Sequence, residues 1–287
     1  MTAAALALLV ASAVAHAAWN LLVKRAGPAA GGPAFAWLFS LVSAVLPTPA
    51  ALWLLGGTAF TPTFALFLAG SAVLHSTAFR VLQRGYGAGD LSLVYPLSRG
   101  TGPLVASAVA VFVLGEPRSA AALAGAGLVA AGAFVLTGGG RALREPGARR
   151  GAALGLVMGL FIAATALWDK QLVGRLRVPP LVLDWTLSLG MTALLAPGAL
   201  GDRPAVRRVW AEHRRTVVVT AALSSLSYVL FLTALAAAPV SRVAPARELS
   251  IVVATLLGGR VLGEADAGRR LAGAAAITAG VVLLAAG

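Results

Sequence analysis

Residues 96–117 read PLSRGTGPLVASAVAVFVLGEP. Beyond its single arginine the stretch carries no charge until Glu116. With the residues before it, it forms an apolar span over 90–114 with Arg99 set among prolines and glycines. About 20 apolar residues rising ~1.5 Å each cross a ~30 Å hydrocarbon core. The arrangement returns at 245–264 as PARELSIVVATLLGGRVLGE, with Arg247 in the corresponding place. An ionisable side chain at membrane depth is expensive, so two of them in matching settings demand a structural account.

The rest of the chain has the same character. Of 287 residues, 59% are hydrophobic and 11% charged, with a mean hydropathy of +0.88. An ordinary soluble domain carries roughly a quarter charged residues. Hydropathy predicts an all-α membrane protein of ten spans, at 3–23, 33–55, 63–84, 90–114, 119–138, 151–173, 179–199, 216–238, 240–262 and 268–286. The start, MTAAALALLVASAVAHAA, has no basic n-region and stays apolar to Val23, so it reads as a retained first span.

The net charge of +13 does not point to nucleic acid. It gathers between spans, as in RALREPGARR (141–150) and DRPAVRRVWAEHRR (202–215), the pattern that orients a chain in a bilayer. Apart from Arg99 and Arg247, all Lys and Arg except Arg118, Lys170, Arg175, Arg177 and Arg242 lie beside the loops after spans 1, 3, 5, 7 and 9. That bias places those loops in the cytoplasm and both termini outside.

The second half echoes the first. A shift of 148 residues sets Arg99 on Arg247, Leu114-Gly115-Glu116 on Leu262-Gly263-Glu264, and Leu123-Ala124-Gly125 on Leu271-Ala272-Gly273. A shift of 149 sets Trp19 on Trp168, Ser76 on Ser225 and Pro96 on Pro245. The chain therefore divides into repeats at 1–138 and 151–287, joined by a basic loop at 139–150. Five spans per repeat make the second copy enter the membrane from the opposite side. Inverted repeats around a midplane site are the architecture of many secondary transporters.

Other chemistries find no support. The chain contains no cysteine, hence no disulfide or thiolate site. It shows no HExxH, no paired aspartates and no GxSxG, so no enzyme and no metal are expected. Gly125-Ala126-Gly127 with Ala130 fits a relaxed GxGxxA pattern, but it lies inside a span with no preceding strand. Small residues for close helix packing explain it better, and no cofactor is expected.

HAAWNLLVKRAG (16–27), PLSRGTGPLVASAVAVFVLGEP and its copy ending in LGE, each followed by a small-residue helix, resemble the drug/metabolite transporter superfamily, and within it the EamA-type transporters. The resemblance covers essentially the whole chain. It implies ten helices in two five-helix repeats, a bacterial inner-membrane location, and transport, mostly export, of amino acids or other small metabolites. Distant members imply a second reading, movement of a lipid-linked anion. The four-helix relatives couple to protons through a glutamate in helix 1, where this chain has Asn20 instead.

The residues expected to meet substrate are Arg99 and Arg247, because a planar guanidinium fork suits carboxylate or phosphate. Tyr95 lies one turn before Arg99, and Glu248 can neutralise Arg99 from the other repeat. His16, Trp19 and Asn20 share one helical face, as do Trp168 and Asp169 in span 6. Tyr228 lies in span 8 and His75 in span 3. Expected partners are a small-molecule substrate, the bilayer, and protons through His75 or His16, in a monomer or homodimer.

Overall fold

The computed structural model describes residues 1–27, 32–57, 61–87, 91–136, 148–253 and 267–286, with backbone only at 80, 82–87, 91–96, 136, 148–150, 267 and 270. The described residues form helices and connecting turns, with no strand. In order these are α1 (Ala3–Ala26), α2 (Pro33–Val45), α3 (Thr48–Gly56), α4 (Pro62–Gly87), α5 (Leu91–Phe112), α6 (Ala120–Leu136) and α7 (Ala148–Lys170). A single π-helical turn, Gln171–Arg175, extends α7. Then follow α8 (Pro180–Gly201), α9 (Arg203–Ala237), α10 (Val240–Ala246) and α11 (Ala267–Ala286). This is an all-α membrane fold. Among the described residues five helices are long and apolar enough to cross a membrane, or six if α2 and α3 count as one bent span. The second LGE at 262–264 and most of the basic loop at 139–150 lie outside the described residues.

Helix boundaries follow local chemistry. Thr2 caps α1 by accepting from Ala5 N at 3.2 Å, which satisfies one of the donors a helix start leaves open. The span predicted over 33–55 is bent by 44° between α2 and α3. Pro47 sits in the break, and its missing N–H and ring clash prevent a straight continuation. The largest departure is α9, a continuous helix of 35 residues, where the sequence predicts a loop at 202–215 ahead of span 8. Asp202 caps it through Ala205 N at 3.1 Å, Pro204 occupies its first turn, and no Gly or Pro follows until 239. At ~1.5 Å per residue α9 is roughly 50 Å long, well beyond the hydrocarbon thickness. Val206 and Val209 in its first turns pack with Phe35, Leu38 and Val217, while Arg207, Arg208, Arg214 and Arg215 are exposed.

The predicted ninth span is also interrupted. Helix α10 stops after Ala246, residues 247–248 form a turn, and helix resumes at 249–253. Pro245 lies in its last turn and cannot donate to the ladder. Helix α5, in contrast, runs through Pro96 and Pro103 without a break.

Packing relies on small residues, as expected where lipid removes the hydrophobic drive between helices. Helix α6 crosses α11 with backbones almost touching. A Cβ added at Gly125 would come 2.6 Å from Gly280 O, and one at Gly132 would come 2.7 Å from Gly273 O. Residue numbers rise along one helix as they fall along the other, so the two run antiparallel. Elsewhere α2 packs on α8, α5 on α7, α1 on α9 and α4 on α7. Ser12 and Ser227 tie α1 to α9 by exchanging bonds, each hydroxyl donating to the other's carbonyl at 2.7 and 2.9 Å.

Candidate functional site

These helices enclose a cavity of about 540 Å³, lined from both halves of the chain. That volume suits a small metabolite. Helix α1 supplies His16, Trp19 and Asn20, α4 supplies His75 and Phe79, and α5 supplies Ser98 and Arg99. From the second half come Asp184 and Ser188 of α8, Tyr228 and Phe231 of α9, and Arg247 and Glu248 at the break after α10. Breaking the helix at 247–248 aims two adjacent charged side chains inward.

The two arginines differ in setting. Arg99 Nη1 lies 3.2 Å from Glu248 Oε1, with the glutamate side chain only 2% exposed. The two halves thus share an ion pair, and Arg99 is largely neutralised. The Arg247 guanidinium rests on aromatic faces, 5.3 Å from the Tyr228 ring centre and 4.2 Å from that of Phe231. It has no carboxylate within ion-pair distance among the described residues. Cation–π contact holds the guanidinium in place and leaves its N–H fork facing the cavity.

Asp169 organises a second cluster. It is 1% exposed and stands behind the cavity wall. Ser71 donates to it at 2.8 Å and Tyr228 at 2.5 Å, and His75 Nε2 lies 3.0 Å from its Oδ2. His75 and Tyr228 face the cavity while sharing this buried carboxylate, and Arg247 lies over the same tyrosine. Asp169 holds two lining residues and is not itself part of the cavity lining. Trp168 is also outside the cavity. It stacks on Phe67 at 4.9 Å, donates to Phe67 O at 2.9 Å, and fills the notch left by Gly70. Trp19, its counterpart in the first half, lines the cavity beside His16 at 5.2 Å. Its buried Nε1–H has no acceptor among the described residues. Asn20 returns its amide to His16 O at 2.8 Å. The Tyr95 side chain lies outside the described residues.

Asp184 was not anticipated. It lines the cavity at 7% exposure, and its Oδ2 is buried without a hydrogen-bond partner. In LVLDWTLS it reads as an acid in the first turns of a helix, where it complements the dipole. Only the fold brings α9 and α4 against it.

At the other end of the bundle a contact joins the two halves. Glu116 accepts from Val240 N at 2.7 Å and Ser241 N at 2.9 Å. It therefore caps α10 rather than the helix that follows it in sequence, as Gly115, at φ 74°, turns the chain between α5 and α6. Lys170 makes a second contact at this end. Its ammonium donates to Leu235 O at 2.7 Å and Ala238 O at 2.9 Å, closing the end of α9.

A bundle of apolar helices around a cavity lined by charged residues is an arrangement suited to a membrane transport protein. Residues 149–286 match the model of the EamA-like transporter family, part of the drug/metabolite transporter superfamily, whose members are transporters. No curated protein matches the chain significantly. One solved crystal structure shares the fold with a TM-score of 0.74, covering 99% of this chain and 96% of that one at 19% identity.

Proposed function

We propose that the protein is a secondary transporter of small anionic or zwitterionic metabolites in a bacterial inner membrane, built from inverted five-helix repeats at 1–138 and 151–287. The observation that carries the substrate class is Arg247, a cavity-lining guanidinium on an aromatic bed with no carboxylate within ion-pair distance among the described residues. A planar fork in that state takes a carboxylate or phosphate in bidentate fashion. Arg99, paired with Glu248, holds the halves together. The antiparallel crossing of α6 and α11 at equivalent glycines supports the inverted repeat.

Transport is by alternating access. Glu116 and Lys170 fasten the end near 112–120 and 237–241, and the cavity lining reaches Asn20, Phe79 and Leu195 toward the C-terminal ends of α1, α4 and α8. The charge bias of the loops places that end on the cytoplasmic side. Thermal-shift screening of purified protein against amino acids, organic anions, nucleobases and cationic drugs tests the reading, since a ligand stabilises the state it binds. Anionic or zwitterionic compounds should stabilise wild type and lose their effect in Arg247→Gln. Stabilisation by cations, or by anions undiminished in Arg247→Gln, would overturn it.

A further inference from the structure

The first turns of α9 take no part in the cavity, whose lining from this helix begins at Ser224. About 20 residues counted back from Ala237 cross the hydrocarbon core, which sets its boundary near Val218. The turns before it have one face committed to protein, where Val206 and Val209 pack with Phe35, Leu38 and Val217. The other face is basic. Arg207, Arg208, Arg214 and Arg215 are exposed, and none has a carboxylate within ion-pair distance among the described residues.

Their spacing builds a surface. Intervals of seven set Arg207 in line with Arg214 and Arg208 in line with Arg215, two ridges each about 10 Å long. Four residues on, each ridge continues in an exposed aliphatic side chain, Val218 or Val219. Trp210, also exposed, stands along the helix between the two arginine pairs. Helix α1 meets α9 at Ser12 and Ser227, and again where Val23 and Ala26 join the cluster of Val217. The two therefore run antiparallel, and Lys24 and Arg25, in the last turn of α1, end level with Arg214 and Arg215.

Orienting a chain in the bilayer requires only that basic residues lie near the span, in any loop conformation. Here the Asp202 cap and the packing on α2 fix the arginines on a rigid rod. A soluble anion would satisfy the guanidinium groups alone. The aliphatic continuation of both ridges, and a tryptophan of the kind that settles at headgroup level, match a ligand that is anionic at one end and apolar at the other.

We propose that this face of α9 binds an anionic phospholipid, its phosphate at Arg214 and Arg215 and its acyl chains along Val218, Val219 and Leu226. A guanidinium fork takes a phosphate through paired hydrogen bonds. Arg207 and Arg208, two turns farther out, add attraction for a headgroup with net negative charge. The site is separate from the cavity and does not depend on the anion reading of Arg247.

The test is thermal unfolding of delipidated protein in neutral detergent, titrated with short-chain phosphatidylglycerol, with phosphatidylcholine of the same chain length, or with glycerol phosphate. Phosphatidylglycerol should stabilise the protein well below the concentration at which either of the others acts. At about fivefold per arginine near a charged leaflet, Arg214→Gln with Arg215→Gln should raise its half-maximal concentration roughly thirtyfold. Arg175→Gln with Arg177→Gln removes the same charge from exposed residues at the opposite end and should respond like wild type. Equal stabilisation by phosphatidylcholine would reduce the effect to acyl chains, and equal stabilisation by glycerol phosphate to a free anion. Equal loss in the two double variants would reduce it to diffuse charge. Each of these overturns the proposal. The response should persist in Arg247→Gln, and its disappearance there would move the lipid to the cavity and overturn the proposal as well.

Discussion

The pairing of Arg99 with Glu248 predicts a specific double-mutant cycle. Arg99→Gln removes the partner of a carboxylate that is 2% exposed and whose second oxygen is already without a hydrogen bond. An uncompensated buried charge costs about 3–5 kcal/mol. Glu248→Gln is milder, at about 1–2 kcal/mol, because the amide still accepts from Arg99. Arg99, at 18% exposure, also borders the cavity. The double substitution removes both charges and leaves two amides that can bond to each other, so it should be more stable than Arg99→Gln alone. A coupling of about 2 kcal/mol follows, in the range found for residues in direct contact. The assay is thermal unfolding in detergent followed by tryptophan fluorescence. At about 2–4 °C per kcal/mol in larger domains, Arg99→Gln should lower the midpoint by roughly 10 °C and the double variant by clearly less. Strictly additive losses, or an Arg99→Gln protein as stable as wild type, would refute the structural role and return Arg99 to the substrate.

Three further outcomes follow from the packing. Asp169→Asn weakens three charge-assisted hydrogen bonds by about 1 kcal/mol each, so its unfolding midpoint should fall several degrees further than that of Ser71→Ala; equal shifts would show that the cluster is not held by charge. Gly132→Leu should abolish a monodisperse peak in size-exclusion chromatography, because its side chain would enter the α11 backbone, whereas Gly127→Leu, with nothing within 4 Å of its added Cβ, should elute like wild type. The chain has no cysteine, so Ser241→Cys can report on the contact between the halves: thiol labelling should be slow in that background and rise at least severalfold when Glu116→Gln is added. Labelling that ignores Glu116 would mean the contact does not hold this end closed.

Much of this molecule is legible in one dimension because a membrane imposes length and polarity on every span. The doubled arginine and the apolar runs could be read from spacing alone. What escaped depended on which elements meet. Trp168 and Trp19 align at a shift of 149 residues, yet one packs on Phe67 and the other faces the cavity, since Gly70 opens a notch for Trp168. Asp169 lies behind the wall because Ser71, His75 and Tyr228, on two different helices, all turn toward it. The basic stretch 202–215 has the charge of a loop and the capping of a helix, and the cap prevailed. Asp184 gave no signal, because a lone acid near a helix start is ordinary until its neighbours are known.

The contact of Glu116 and Lys170 with the junction between α9 and α10 has a consequence for how sequence variation should be interpreted. Everything they grip is peptide: two N–H groups at 240–241 and two carbonyls at 235 and 238. Side chains at those positions can drift without disturbing the grip, and a survey of variants confined to the junction would find it tolerant and miss its purpose. The information for that closure is written elsewhere, in one acid and one base remote from it in the chain. Relatives should therefore be compared at 116 and 170, where a single codon changes the lock, rather than at the place that is locked.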